Sequence, residues 1–389
     1  MQVCANLPPA GRDFRLDLFR GLANWAIFLD HIPHEVLNWI TIKNYGFSDA
    51  ADLFVFISGY TAAFVFGRVM IERGYLAAAS RLVKRALQLY AAHILVVVVY
   101  IAVIAAVAQG THDANDINVF NVAAFIRKPI WEFVQTLALR YRPVNLDVLP
   151  LYILLLGTFA PALWLMIRKP TLILGCSIVV YVAGRHFGWN LSSSRSAVWY
   201  FNPFAWQLLF FLGAWIALGG AAAVQSIVRT RTVFWLAIAY LVFALVVTMA
   251  TNSPHLGNLV PSWMLAPFDP NDKTNLAPYR IVHLIALAVV VTRFLPQDTP
   301  MLKWRSLAPL IKCGQNSLPV FCTGIVLSFC AHAAIEASLN SLWVQIFVGS
   351  LGVLLMTAVA YHGTWPKRRY PILPSPGSNW QNAVPSKSA

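Results

Sequence analysis

Charged residues are scarce in this chain: Asp, Glu, Lys and Arg make up 11% of its 389 residues, while 58% are hydrophobic. A soluble domain carries roughly a quarter charged residues and could not cover its surface with so few polar groups, which makes lipid the expected solvent. Cysteine is also rare. The five thiols, Cys4, Cys176, Cys313, Cys322 and Cys330, form no CxxC pair, and most lie inside apolar runs. That argues against a disulfide framework and gives no metal site. No GxSxG tract is present, so a serine acyl-enzyme is not indicated. No internal repeat and no matched pair of broken spans stands out, which counts against an inverted-repeat transporter. No cleavable signal segment is expected, because a polar N-terminus leads through Arg12, Arg15 and Arg20 directly into the first apolar run.

What the chain has instead is long apolar runs, such as Leu151 to Ile167 and Val233 to Ala250. A lipid-exposed segment must satisfy its backbone hydrogen bonds internally, so these runs are expected to be helices. The expected fold is an all-α integral membrane protein, a bundle of about ten transmembrane helices. Their approximate extents are 16–39, 48–70, 86–108, 147–167, 171–188, 203–223, 232–250, 279–295, 310–332 and 341–362. With the N-terminus in the cytoplasm, loop Lys and Arg favour the inner side about two to one, which places both termini cytoplasmic. Topology thus accounts for most of the net charge of +14, and a nucleic-acid partner is not expected. One transmembrane domain over 1–363 is expected, followed by a disordered cytoplasmic tail over 364–389, rich in Pro and Ser. Two long outer segments, 109–146 and 251–278, stand as roofs over an outward-facing site or as plain connectors. Ala123 to Leu139 in the first has the pattern of an interfacial amphipathic helix.

The first span carries polar residues at depth. At 100° per residue, Asp13, Asp17, Arg20, Asn24 and His31 fall within about 60° of one another, as a stripe from the cytoplasmic end toward the outer half. Asp30 points about 100° away from His31, and Pro33 predicts a kink and an opening there. Ionisable groups in lipid are costly, so each is a functional candidate. Asp17 and Arg20 equally fit an i,i+3 pair anchoring the helix at the inner surface. The second span opens Ser48-Asp49-Ala50-Ala51-Asp52, and the fourth opens with Asn145 and Asp147. These outer acids are candidates to meet His31, although Asp49 and Asp147 also fit as helix caps. On the cytoplasmic side Arg81, Lys84 and Arg85 share one helix face, as topology signals or as a phosphate clamp.

The tract Arg15-Leu16-Asp17-Leu18-Phe19-Arg20-Gly21-Leu22-Ala23, followed by His31, resembles the opening of the membrane acyltransferase superfamily. Four further tracts are more particular: Leu29-Asp30-His31-Ile32-Pro33, Phe47 to Tyr60 with Asp49, Asp52, Ser58 and Gly59, Leu146-Asp147-Val148-Leu149-Pro150-Leu151-Tyr152, and Asn202-Pro203-Phe204-Ala205-Trp206-Gln207. Together they look like the OpgC family, succinyltransferases of osmoregulated periplasmic glucans, over most of the chain to about residue 362. The resemblance implies a ten-helix acyltransferase of the bacterial inner membrane. It would move succinyl from cytoplasmic succinyl-CoA, or another acyl-CoA, to a hydroxyl of a periplasmic glucan, with no tightly bound cofactor. By position, His31 matches the catalytic histidine, while Arg20, Arg81 and Arg85 match cytoplasmic basic positions that would meet the donor, with Lys84 beside them. Asn24, Asp49, Tyr152 and Gln207 are the substrate-contact candidates. The superfamily carries denser arginine clusters at the start of the third helix than Arg81-Leu82-Val83-Lys84-Arg85, which weakens the match there.

The residues fit this chemistry independently. Acyl transfer from a thioester to an alcohol needs a base at the alcohol and a donor for the developing oxyanion. His31 is the candidate base, and Asp52, Asp30 or Asp147 the acid that fixes its tautomer, Asp52 being preferred. A succinyl group calls for a cation, with Arg142, Arg195 and Arg280 in reach on the outer side, whereas an acetyl group does not. Trp189, Trp199 and Tyr200 suit sugar faces and membrane interfaces alike. Two other classes compete: a polytopic exporter of glycan or lipid, which also buries charge, and a structural subunit of a glucan-synthesis complex, in which a change such as His31→Gln would be silent.

Overall fold

The computed structural model describes residues 12–33, 35–111, 120, 122–194, 198–296 and 299–363. The expected tail over 364–389 lies outside them. The described residues are mostly helical and include no strand, only an isolated β-bridge between Ser192 and Val198. The main helices are α1 (Phe14–Asp30), α2 (Ala50–Arg73), α3 (Tyr75–Thr111), α4 (Val148–Arg168) and α5 (Pro170–His186). They continue with α6 (Pro203–Trp215), α7 (Arg231–Asn252), α8 (Pro278–Phe294), α9 (Ala308–Gln315), α10 (Ser317–Ala337) and α11 (Leu342–His362). A π turn, Ile216–Gly220, joins α6 to the short helix Ala221–Val228.

Among the described residues, seven helices are long and apolar enough to cross a membrane: α2, α3, α4, α6 with its continuation, α7, α10 and α11. The chain is therefore a multi-pass helical membrane protein. Helices α1, α5 and α8 lie where further spans were expected, but each has 17 residues. At 1.5 Å per residue that is about 25 Å, short of a ~30 Å hydrocarbon core, and among the described residues the expected count of about ten is not reached by helices of full length.

The first helix stops earlier than its hydropathy suggests. It ends at Asp30, not near 39, and His31 caps it through its own backbone N–H to Ile27 and Phe28. Pro33 disfavours helical backbone at Ile32. Glu35 then accepts from the Leu37 N–H at 3.1 Å and starts a separate 3-10 turn, Val36–Ile40. The third helix begins earlier than expected, at Tyr75, so Arg81, Lys84 and Arg85 lie within it. Gly74 makes the sharp entry possible: its φ of +85° suits glycine alone, and its N–H closes α2 onto Met70.

The segment expected to be interfacial forms two short helices, Ala123–Arg127 and Pro129–Leu137, because Lys128 precedes a proline. The second turns Ile130 (83% exposed) and Trp131 outward and buries Glu132, Gln135 and Thr136. That is the orientation of a helix lying against lipid.

Two backbone-to-backbone crossings set the frame of the bundle. A Cβ on Gly21 would overlap the Leu310 carbonyl, and one on Gly314 the Asp17 carbonyl, so α1 and α9 touch without side chains between them. Gly59 and Gly213 do the same for α2 and α6, against the carbonyls of Phe210 and Phe56. Small residues at such crossings permit the close approach that packs membrane helices. Replacing Gly59 with alanine is expected to cost about 1–3 kcal/mol or more, since a backbone carbonyl cannot turn aside as a side chain can. Thermal melting in detergent should show a clear drop for Gly59→Ala and none for Gly157→Ala, where an added Cβ meets nothing within 4 Å.

Candidate active site

Where α1 ends, a cavity of about 500 Å³ opens. Asp30 and His31 come to its wall from α1, Lys43 from the following turn, and Asp49 from the start of α2. Arg142, Asn145 and Asp147 come from the segment before α4, Tyr200 and Phe201 from the approach to α6, and Lys273 from the loop before α8. Asn145 holds the left-handed conformation (φ +75°), which asparagine tolerates better than most residues, and its amide reaches the His31 carbonyl at 3.5 Å.

Ion pairs line this chamber. Lys43 meets Asp30 at 3.4 Å, Arg142 meets Asp147 at 3.1 Å, and Lys273 meets Asp49 at 2.6 Å. Burial pulls the Lys273 ammonium pKa down, but Asp49 and Tyr200 beside it pull it up by more, so the group stays above the ordinary lysine value and charged at neutral pH. Arg142 also stacks on Trp199, with its guanidinium 4.5 Å from the ring centre.

The structure brings Asp30, Asp49 and Asp147 onto the same cavity wall as His31. Asp52 is placed otherwise. It is fully buried, does not line the chamber, receives Arg280 at 2.5 Å and accepts the Asp49 N–H at 2.8 Å. Asp49 in turn accepts the Ala51 N–H, so the two acids form a capping box at the start of α2. The His31 Nδ1 has no hydrogen-bond partner among the described residues.

A second, narrower cavity of about 170 Å³ lies further along α1. Arg20, Arg85, Thr61 and Tyr152 are among its lining residues. Arg20 donates to the Thr61 hydroxyl at 2.9 Å. The anchoring pair of Asp17 with Arg20 is not what forms: Asp17 takes Arg12 at 2.5 Å and Gln315 at 3.5 Å, which leaves Arg20 to the cavity. Arg81 and Lys84 are exposed on α3 and line neither cavity, while Arg85 turns inward.

In the α1 sequence between Arg20, which lines one cavity, and Ile27, which lines the other, is Asn24, which lines neither, is 1% exposed and has neither amide atom partnered among the described residues. An unsatisfied buried polar group costs about 1–3 kcal/mol, so Asn24 is a candidate to bond something other than the described residues. Gln207 is away from both cavities, bonded to the Ser177 hydroxyl at 2.6 Å and the Ser177 carbonyl at 2.9 Å. Ser48 and His283 are buried 2.7 Å apart and line neither cavity, so this pair ties α8 to the start of α2. Of the three outer arginines considered for a carboxylate, Arg142 lines the chamber, Arg280 is committed to Asp52 and Asp49, and Arg195 lies outside the described residues.

Lys273 and Lys43 were not singled out by the sequence patterns. The only signal for Lys273 was its place in a polar cluster, Asn271-Asp272-Lys273-Thr274-Asn275, within the second outer segment. The Asn202 to Gln207 tract proves to be its support. Trp206 donates to the Lys273 carbonyl at 3.0 Å, and the Asn202 amide meets Asn275 at 3.0 Å. Tyr181 donates to Leu276 at 2.7 Å. The segment 251–278 thus contributes directly to the chamber wall, through Lys273.

A family model described as OpgC protein matches residues 12–368, nearly the whole chain and every tract that builds the two cavities. The chain belongs to the OpgC family. No curated protein and no solved structure matches it. Membership points to an OpgC-type membrane acyltransferase, and the OpgC tracts can be read by place. The first supplies Arg20 to the narrow cavity and Gly21 to the α1/α9 crossing. The second and third supply His31, Asp30 and Asp49 to the wide chamber. The fourth supplies Asp147 to the wide chamber and Tyr152 to the narrow one, and the last holds the Lys273 loop. Among the described residues no group of three His, Cys, Asp or Glu is placed to hold a metal ion, and Cys176, Cys313, Cys322 and Cys330 are free.

Proposed function

We propose that this protein is an O-acyltransferase that accepts an acyl group, succinyl, from cytoplasmic acyl-CoA at the narrow cavity. It delivers the group to a hydroxyl of a periplasmic glucan in the wide chamber. The observation that carries this reading is the end-to-end arrangement of the two cavities along the polar stripe of α1, with Arg20 and Arg85 at one end and His31 at the other. Arg20 and His31 are about 16 Å apart along the helix, at 1.5 Å per residue. A cavity of about 170 Å³ is below the ~300 Å³ of a typical whole-ligand pocket. It suits the slender arm of the donor, with the nucleotide outside at Arg81 and Lys84. The wide chamber suits a sugar, with Tyr200 as an aromatic face. In this reading the chain crosses the bacterial inner membrane about ten times with both termini in the cytoplasm, α1, α5 and α8 serving as the shorter crossings.

The chemistry is one displacement. His31 takes the proton from the sugar hydroxyl, whose oxygen attacks the thioester carbonyl. The carbon–sulfur bond breaks, and the proton passes to the departing CoA sulfur. Asp30, Asp49 and Asp147 stabilise the imidazolium across the chamber, and Asp52 acts at one remove by holding Arg280 and Asp49. The Asn24 amide, unpartnered among the described residues, supplies a hydrogen bond to the passing arm or to the oxyanion. Arg142, Lys43 and Lys273 are the cations on the wall that a succinyl carboxylate would meet.

The test is thiol release from succinyl-CoA by purified protein in detergent, with periplasmic glucan added. Turnover without vesicles separates an enzyme from an exporter, and its absence with succinyl, acetyl and other acyl donors removes the acyltransferase reading. In the same assay, Arg81→Ala with Arg85→Ala should raise the donor KM about tenfold or more, since a hydrogen bond to a charged group contributes about 1.5–3 kcal/mol. The glucan KM should be unmoved. An unchanged donor KM would remove these residues from the donor site.

A further inference from the structure

The two cavities share one side chain. Along α1, His31 and Ile27 face the wide chamber and Arg20 the narrow cavity; along α4, Val148 faces the first and Tyr152 the second. On α2, Asp49 to Ala51 face the first, and Phe54, Ser58 and Thr61 the second. Of the lining residues, Phe321 on α10 alone belongs to both. It is 3% exposed, and its ring lies 6.2 Å from that of Phe54, which lies 6.4 Å from Tyr152. One turn before it on α10, Ser317 lines the narrow cavity.

We propose that Phe321 is the partition between the two chambers and determines what the acyl group meets: it keeps water of the wide chamber away from the narrow cavity until its ring turns aside. A phenyl ring on a helix moves between staggered χ1 wells, so one rotamer change opens the passage that a thioester needs to reach His31. Without the ring the chambers merge, and water can stand where the sugar hydroxyl should. Water then attacks the thioester carbonyl, the carbon–sulfur bond breaks, free carboxylic acid forms, and the proton passes to the CoA sulfur. What passes the ring rests on the acyltransferase reading; that the ring separates the chambers does not.

The test therefore has a readout independent of activity. In a protein with all five native cysteines replaced, single reporters are placed at Ser193→Cys in the wide chamber and Ser317→Cys in the narrow cavity. Sealed proteoliposomes are treated with a small membrane-impermeant thiol reagent from the side on which Ser193→Cys reacts. With Phe321 present, Ser317→Cys should be protected from that side. In Phe321→Ala its labelling should accelerate at least tenfold, in Phe321→Leu, which retains bulk and fold, by an intermediate factor, and in Phe321→Trp not at all. Equal labelling of Ser317→Cys in all four proteins overturns the proposal. In parallel, Phe321→Ala should release CoA thiol without glucan several-fold faster than the parent, with the acyl group recovered as free acid. If the parent turns over no acyl-CoA even with glucan, the acyltransferase reading fails, while the labelling still decides the partition.

Discussion

Replacing His31 with alanine should lower acyl transfer by about a hundredfold to ten-thousandfold, the usual contribution of a general base, and leave the protein folded. The second half of that expectation follows from how His31 is held. It caps α1 through its backbone N–H to Ile27 at 3.1 Å, a bond that alanine keeps. Its side chain lines a cavity, and its Nδ1 has no partner among the described residues, so truncation strands no neighbour there. A loss of activity at an unchanged melting temperature therefore reports chemistry. His31→Gln is the sharper companion, because it keeps a polar side chain of similar reach and removes the base. Full succinylation by either variant at normal protein levels would sink the catalytic assignment and favour a structural-subunit role.

The helices of this chain were legible because lipid imposes long uninterrupted apolar runs. The spans read at 147–167 and 341–362 fall within a residue of α4 and α11. The end of α1 was not, because Val36, Leu37, Trp39 and Ile40 continue its hydropathy past Pro33, and the Glu35 cap that starts a new turn adds little to an average. His31, Asp30, Asp49 and Asp147 could be named because they are polar residues in or beside apolar runs, where burial is costly. Their cationic partners follow a different logic. Lys273 sits in a loop with no periodicity, and its position is fixed by Trp206 and Asn202, 67 and 73 residues away from the loop atoms they bind. Phe321 was invisible for the opposite reason: one phenylalanine in an apolar helix looks like any other until two cavities are seen to meet at it.

Asp52 shows where sequence placement and structure part, and it supports the second large prediction. Depth in the second span made it the preferred partner of His31, yet its carboxylate is directed at Arg280, 228 residues away in sequence. Arg280 is 2% exposed and reaches Asp52 at 2.5 Å, Asp49 at 3.3 Å and Asn271 at 3.1 Å. With Lys273 on Asp49, two carboxylates and two cations form one neutral cluster, of which Asp52 and Arg280 are the buried pair. Breaking a buried pair from one side leaves an uncompensated charge and costs about 3–5 kcal/mol, whereas neutralising both sides together is often close to neutral. Arg280→Met alone should therefore lose most of its folded protein in detergent, seen as low yield and a collapsed thermal transition. Adding Asp52→Asn should restore much of the stability, since the amide oxygen can still accept the Asp49 N–H that the carboxylate now takes. The rescued double variant then separates two roles for Asp52. If it orients or charges His31 directly, the refolded protein stays as inactive as His31→Ala. If it serves only to neutralise Arg280 and to cap the start of α2, transfer activity returns with the fold, and the acids left to serve the imidazole are those that share its wall: Asp30, Asp49 and Asp147.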